Sequence, residues 1–264
     1  VDVWVDLSGP GFEKRVFGFW DGDDRHRVRV VATAPGRWTW RSGASVTGIG
    51  LDGATGSFEA EPWSESELTD NPCRRGFLRP TPNGHGLQYA DGTPLYYLAD
   101  TWWATPTFRY PWVDDEQPLP SWAGAGFQEL VDLRASQGFN GIAMLAVFPH
   151  WADDGEPSTI VMEDGTPVRQ AWQAGGSADS SERAVAKEMY NEGGRPFAFP
   201  GRVPGYGHVV PDFDRINPDY FRFMDRKVEY LNSKGFIPFI EVSRRDAGPV
   251  WKEYYEWPDS YARF

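Results

Sequence analysis

Three apolar runs, all after residue 95, end in side chains able to hold a hydroxyl-rich ligand. The first, YYLADTWWATP, passes from Tyr96 into Asp100, Trp102 and Trp103. FNGIAMLAVF leads into FPHW, with His150 and Trp151, and FIPFIEV ends near Glu241 and Val242 and is followed closely by Arg244. A carboxylate can accept hydrogen bonds from sugar hydroxyls, while a tryptophan face can cover the apolar C–H side of the ring. The spacing therefore raises the question of whether one fold brings the three ends together.

Each of these residues also has a structural reading. Asp100 could cap a loop or accept from a loop N–H, and Trp102 and Trp103, being adjacent, cannot easily face the same way. One of the pair is expected to plug a core and the other to face a ligand. His150 could equally be a hydrogen-bonded structural histidine. Glu241 is the nearest candidate for a catalytic carboxylate, yet at the end of a third strand it reads better as a hydroxyl binder or as the partner of Arg244 or Arg245. Asp212 and Asp214, in VVPDFDRI, are further acidic candidates just before a predicted helix. No H-x-H or H-E-x-x-H pattern occurs, so neither a metal nor another cofactor is expected. GIGLDG satisfies G-x-G-x-x-G literally, but no helix follows to receive a pyrophosphate, and the turn reading stands. Cys73, alone in NPCRRG, excludes an internal disulfide and reads as structural.

The elements that would position these residues follow from periodicity. Residues 1–61 read as short strands punctuated by GDD, PGR and LDGATG, a small antiparallel β-sandwich-like domain. VDVWVDL alternates apolar and polar positions, and FEKRVFGFW, RVRVVATA, RWTWRS and GSFEAE follow as further strands. Val1 falls inside the first, so that sandwich is expected to be incomplete. Residues 62–82 are polar and proline-bearing and read as a linker. Asp91-Gly92 predicts a hairpin whose second arm is a strand over 94–99, ending at Asp100. A helix capped by Ser121 and stopped at Gly138 comes next, then the FNGIAMLAVF strand, then a Gly-, Pro- and Asp-rich insertion at about 149–216 with one helix at SSERAVAKEMYNE. NPDYFRFMDRKVEYLNSKGF predicts an amphipathic helix ending at Gly235, FIPFIEV a strand, and GPVWKEYYEW another helix. Strand, helix and strand alternating in this way predict βαβ units around a parallel sheet. A closed (β/α)₈ barrel needs about 250 residues, so 83–264 are expected to hold only its first three strands.

Composition narrows the partners. The 264 residues are 40% hydrophobic and 24% charged, ordinary globular values, but 16% are aromatic, including 13 Trp, a surplus suited to rigid binding surfaces. A net charge of −12 without a basic patch argues against nucleic acid. No run has the length of a membrane span, and no signal peptide is visible, although the chain does not start with Met.

Several motifs together resemble the apiosidase-like glycoside hydrolase family. VFGFWDG, APGRWTWR and LDGATGSFEAE resemble its small N-terminal β-sandwich, and RGFLRPTPNGHGLQYADGTPLYYLADTWW the opening of its (β/α)₈ barrel. RASQGFNGI and DRINPDYFRFMDRKVEYLNSKGFIPFI resemble the second strand entry and the second helix with the third strand, whereas FPHW and RQAWQAGGSADSSERAV match no family pattern.

The resemblance implies a hydrolase that cleaves a polysaccharide or oligosaccharide with two carboxyl groups. It sets those groups at the ends of barrel strands four and seven, beyond Phe264, so no catalytic residue is expected within the chain. Asp100, Trp102, Trp103, His150, Trp151, Glu241 and Arg244 are then expected to bind substrate. The substrate class implies an extracellular or periplasmic location, and the oligomeric state stays open. The alternative is a non-catalytic carbohydrate-binding or scaffold protein on the same fold. A metal-dependent hydrolase would require clustered ligands, for which only His150 and His208 stand out.

Overall fold

The computed structural model describes residues 1–147, 160–161, 167–168, 190–198 and 212–242. The chain forms two compact units, Val1–Tyr96 and Tyr97–Phe264. The first is antiparallel in its sheets, and the second is built on a parallel sheet with helices.

In the first unit, β1 (Val3–Gly9) and β2 (Phe12–Phe17) form a hairpin, followed by the short pair β3 (Phe19–Trp20) and β4 (His26–Arg27). Two longer strands, β5 (Gly36–Ala44) and β6 (Thr55–Ala60), complete a four-stranded sheet in the order β2-β1-β5-β6. Alternation in β1 sends Val3 and Leu7 into the core and Asp6 to solvent, the period of a half-buried strand. Trp38 of β5 is fully buried, stacks on Phe58 at 6.2 Å and donates from Nε1 to the Ala34 carbonyl at 3.0 Å.

Three tryptophans of this sheet lie flat across glycines of the neighbouring strand. Trp4 covers its register partner Gly43, Trp40 covers Gly56, and Trp38 covers Gly9. A β-carbon at any of the three glycines would come within 2.2–2.5 Å of a ring. Of the predicted RVRVVATA strand only its first residue, Arg27, lies in a ladder, and Val30 and Val31 remain exposed.

The polar stretch after β6 is more ordered than its composition predicts. Ser64 caps α1 (Glu65–Asp70) in a reciprocal capping box with Glu67, and a 3₁₀ turn follows at Pro72–Arg75. The small sheet of β7 (Arg79–Pro80), β8 (Leu87–Gln88) and β9 (Pro94–Leu95) contains the Asp91-Gly92 hairpin, with Gly92 in the left-handed region at φ 91°. Asp91 accepts from the Thr93 N–H at 2.8 Å and pairs with Arg75.

The predicted 94–99 strand is split. Its first residues belong to β9, and the chain then enters β10 (Ala99–Thr101) of the second unit, so that Asp100 sits in the middle of that strand. Helix α2 (Phe127–Ser136), β11 (Gly141–Leu145), the pair β12 (Ile160–Val161) and β13 (Pro167–Val168), and the pair β14 (Phe197–Ala198) and β15 (Asp212–Ile216) come next. Helix α3 (Pro218–Ser233) and β16 (Ile237–Glu241) end the described chain. β10, β11 and β16 form one parallel sheet in that order, in register Asp100–Ile142–Pro238. Ile142 and Met144 bury one face of it against Phe127 and Val131 of α2, Leu231 of α3 and Phe236. Each fully buried side chain of this size contributes about 1.5–3 kcal/mol.

Ser121 does not cap α2. The helix starts after Gly126, where the Phe127 N–H finds the Pro111 carbonyl at 2.8 Å instead of a side-chain cap. Asn217 caps α3 as its position before a proline suggests. The helix expected at 180–192 lies outside the described residues up to 189, and its last three positions are not helical; GPVWKEYYEW lies outside them entirely.

Truncating the Trp38 side chain to alanine should lower the unfolding free energy of the first unit by about 3–5 kcal/mol. Urea titration followed by circular dichroism would measure it, and an unchanged midpoint would contradict the packing described.

Candidate functional site

The three parallel strands end side by side. The Trp102 N–H donates to the Ala143 carbonyl at 2.8 Å, the Leu145 N–H to the Trp103 carbonyl at 3.2 Å, and the Ala146 N–H to the Glu241 carbonyl at 2.7 Å. These bonds make a continuous rim from Thr101 through Leu145 to Glu241, the C-terminal edge of the sheet. Functional side chains of α/β folds gather at that edge.

The adjacent tryptophans diverge at this rim. Trp102 is buried in the helix-side core, stacked on Tyr110 at 5.3 Å, and so acts as the plug. Trp103 is only partly buried and packs against Ala104 and Leu145, on the sheet face opposite Ile142 and Met144. Glu241 shares that face through its register partner Leu145 and is half-buried. His150, Trp151 and Arg244 lie outside the described residues, as does His208.

Asp100 points the other way. It shares the helix-side face with Ile142, and its carboxylate is engaged by three donors: the Thr101 N–H at 2.8 Å, the Trp102 indole N–H at 2.9 Å and Arg134 Nε of α2 at 2.7 Å. Burial pushes its carboxyl up, but the bonds from Trp102, Thr101 and Arg134 together outweigh that and hold it below the ordinary carboxylate range. The geometry thus gives Asp100 a joining role between strand, loop and helix. Asp214 is exposed on β15, whose backbone pairs Asp212 with Ala198.

Two polar residues that sequence reasoning passed over organise the loop carrying Trp103. Lys227 is fully buried in α3, and its Nζ donates to the Thr105 carbonyl at 3.0 Å and the Thr107 carbonyl at 3.1 Å. Burial drives this ammonium down to about 8, against the pull of Glu192, which favours the charged form. Asn191 donates from Nδ2 to the Pro106 carbonyl at 3.1 Å and the Tyr220 carbonyl at 2.9 Å. It sits in a tight turn closed on Gly194, where Gly193 approaches the Asp219 backbone so closely that a β-carbon would stand 2.2 Å from the carbonyl oxygen. Lys227 did leave a signal. It stands in the apolar stripe of α3 with Tyr220, Met224 and Leu231, where a solvated lysine would not fall.

Among the described residues, no group of three or more His, Cys, Asp and Glu side chains could hold a metal ion. No helix among them is long and apolar enough to cross a membrane.

Replacing Asp100 with alanine should cost about 2 kcal/mol, because the buried Trp102 indole N–H loses its acceptor. The contribution of Asp100 is present above the ordinary aspartate range, near pH 4, and should fade as pH falls through its lowered folded value. Urea midpoints of wild type and Asp100→Ala at several pH values would read this: the gap between them should narrow on acidification, and a constant gap would refute it.

Residues 81–258 match the model of the apiosidase-like catalytic domain, and residues 1–45 that of a domain of unknown function, DUF5060. The fold is similar to that of a "putative glycoside hydrolase" from Bacteroides vulgatus, with a TM-score of 0.56 and 18% identity over 91% of this chain and 36% of that one. A glycoside hydrolase family 5 structure from the same organism matches with a TM-score of 0.30 and 14% identity, over 64% of this chain and 25% of that one. The chain thus spans about a third or less of the length of these solved proteins. No curated protein matches it. With two thirds of its length matched to that catalytic domain, the chain belongs to the apiosidase-like family of glycoside hydrolases.

Proposed function

We propose that this chain is part of a glycosidase that cleaves a polysaccharide or oligosaccharide outside the cytoplasm, and that its parallel sheet holds the first strands of a (β/α)₈ barrel. The observation that carries the reading is the catalytic-domain match over a segment whose three parallel strands end on one rim. In that rim Trp103 offers a ring face and Glu241 a carboxylate on the same side of the sheet. His150, Trp151 and Arg244, which follow β11 and β16 directly in the chain, are proposed to extend this wall.

The reaction is proposed to use two carboxyl groups, one protonating the leaving oxygen and one acting as nucleophile or as base for water. Both are assigned to strands other than the three described here, and Glu241 is assigned to binding hydroxyl groups. Among the described residues β16 is the edge of its sheet and has Phe239 and Ile240 exposed, which is consistent with further strands beside it.

The protein encoded by the whole reading frame, assayed on a panel of p-nitrophenyl glycosides and soluble plant polysaccharides, is expected to release sugar, whereas residues 1–264 alone should turn over none. In the active protein, Trp103→Ala should raise KM about tenfold with kcat little changed, as loss of one ring contact predicts. Binding without release by the whole protein would favour the non-catalytic alternative, and neither binding nor release would overturn the reading.

A further inference from the structure

The loop at 102–110 is held from outside its own sequence. Inside it, the Thr105 and Thr107 hydroxyls donate to the Trp102 and Ala104 carbonyls at 2.6 and 2.8 Å, and the Thr105 and Thr107 N–H groups bond the same two oxygens. These turns use the loop's own donors. The three successive carbonyls of Thr105, Pro106 and Thr107 face the interior, and that of Thr107 already accepts from the Tyr110 N–H at 3.2 Å. All three are taken by side chains distant in the chain, the outer two by Lys227 and the middle one by Asn191. These groups are shielded from solvent: Thr105, Thr107, Asn191 and Lys227 are each at most 3% exposed. A buried carbonyl without a donor costs about 1–3 kcal/mol, so the loop cannot keep this shape once the donors are removed.

The clamp reaches the rim by a short route. Thr105 closes the turn that begins at Trp102, and Trp103 lies within that turn with its carbonyl held by the Leu145 N–H. Asn191 also grips the Tyr220 carbonyl, and the Tyr220 hydroxyl donates to the Ala146 carbonyl just past β11. Loop, helix α3 and the end of β11 are therefore fixed to one another by buried donors.

We propose that Lys227 and Asn191 are positioning residues for the sugar site, acting through the loop geometry that sets the Trp103 ring on the rim. This rests on the glycosidase reading above for the identity of the ligand, but not for the clamp itself. A charged ammonium is a costly choice for a site that apolar packing could fill, and its use here supplies several donors from a single atom to two carbonyls.

The test uses the whole protein in wild type, Lys227→Met, Asn191→Ala, Trp103→Ala and the Lys227→Met/Trp103→Ala double variant. Hydrogen exchange should be about tenfold or more faster across 102–110 in Lys227→Met and Asn191→Ala, with β11 and α2 protected as in wild type. On the p-nitrophenyl glycoside that the wild type cleaves, Lys227→Met should raise KM about tenfold while leaving kcat largely intact, and should add nothing in the Trp103→Ala background. Unchanged protection of the loop would overturn the proposal, as would equal loss of protection throughout the second unit or additive effects in the double variant. If the wild type cleaves no glycoside, the functional reading falls and the exchange data alone decide the clamp. Should Lys227→Met fail to fold, Asn191→Ala carries the same comparison.

Discussion

The second unit hangs on one carboxylate. Asp100 is the middle residue of a strand only three residues long, which must turn at once into a loop and still be held against a helix that begins more than twenty residues later. A short strand with so few ladder bonds cannot fix that geometry through its backbone alone. By accepting from its own following N–H, from the Trp102 indole and from Arg134, Asp100 sets the direction of the loop and the depth of the core plug together. Trp102 can then stack on Tyr110 and close the layer made by Ile142, Met144, Phe127 and Val131. The loop that carries Trp103 starts from that arrangement.

Much of this architecture was legible from periodicity. The nearly continuous apolar run FNGIAMLAVF marks β11 because the strand is covered on both faces near its end, and the stripe of α3 follows from its spacing. Asp91-Gly92 marks a hairpin because the glycine alone adopts the required positive φ without strain. The misreadings have physical causes. RVRVVATA has strand composition, but composition does not supply a neighbouring ladder, and most of it forms none. Ser121 is a good cap by type, yet a carbonyl from Pro111 offers the α2 N-terminus a partner that no local pattern reveals. The Ser64–Glu67 capping box was readable in SESE and was hidden only by the polar composition around it.

The ends of the three parallel strands were legible in position, and the facing of their side chains less so. Strand ends can be located from sequence, but which side of the sheet a residue faces depends on a register that shifts with a single position. Ending the first strand at Asp100 rather than Thr101 left its side unassigned, and the register with Ile142 puts it on the helix side. Trp103 and Glu241 fall on the opposite side because each lies an even number of residues from, or in register with, the face shared by Ala143 and Leu145. Lys227 and Asn191 were invisible as a pair, since they are far apart in the chain and meet only where the loop folds over α3.

In the first unit, the three tryptophans lying across glycines tie residue choice on one strand to residue choice on the next. A glycine there cannot acquire a side chain while the ring remains, and losing the ring leaves a bare stretch of sheet that invites a bulkier residue opposite. Neither position is free to drift by itself. Among related sequences, Trp4 with Gly43, Trp40 with Gly56 and Trp38 with Gly9 should therefore change as couples, and that joint variation would give the sheet's register a signature readable without any coordinates.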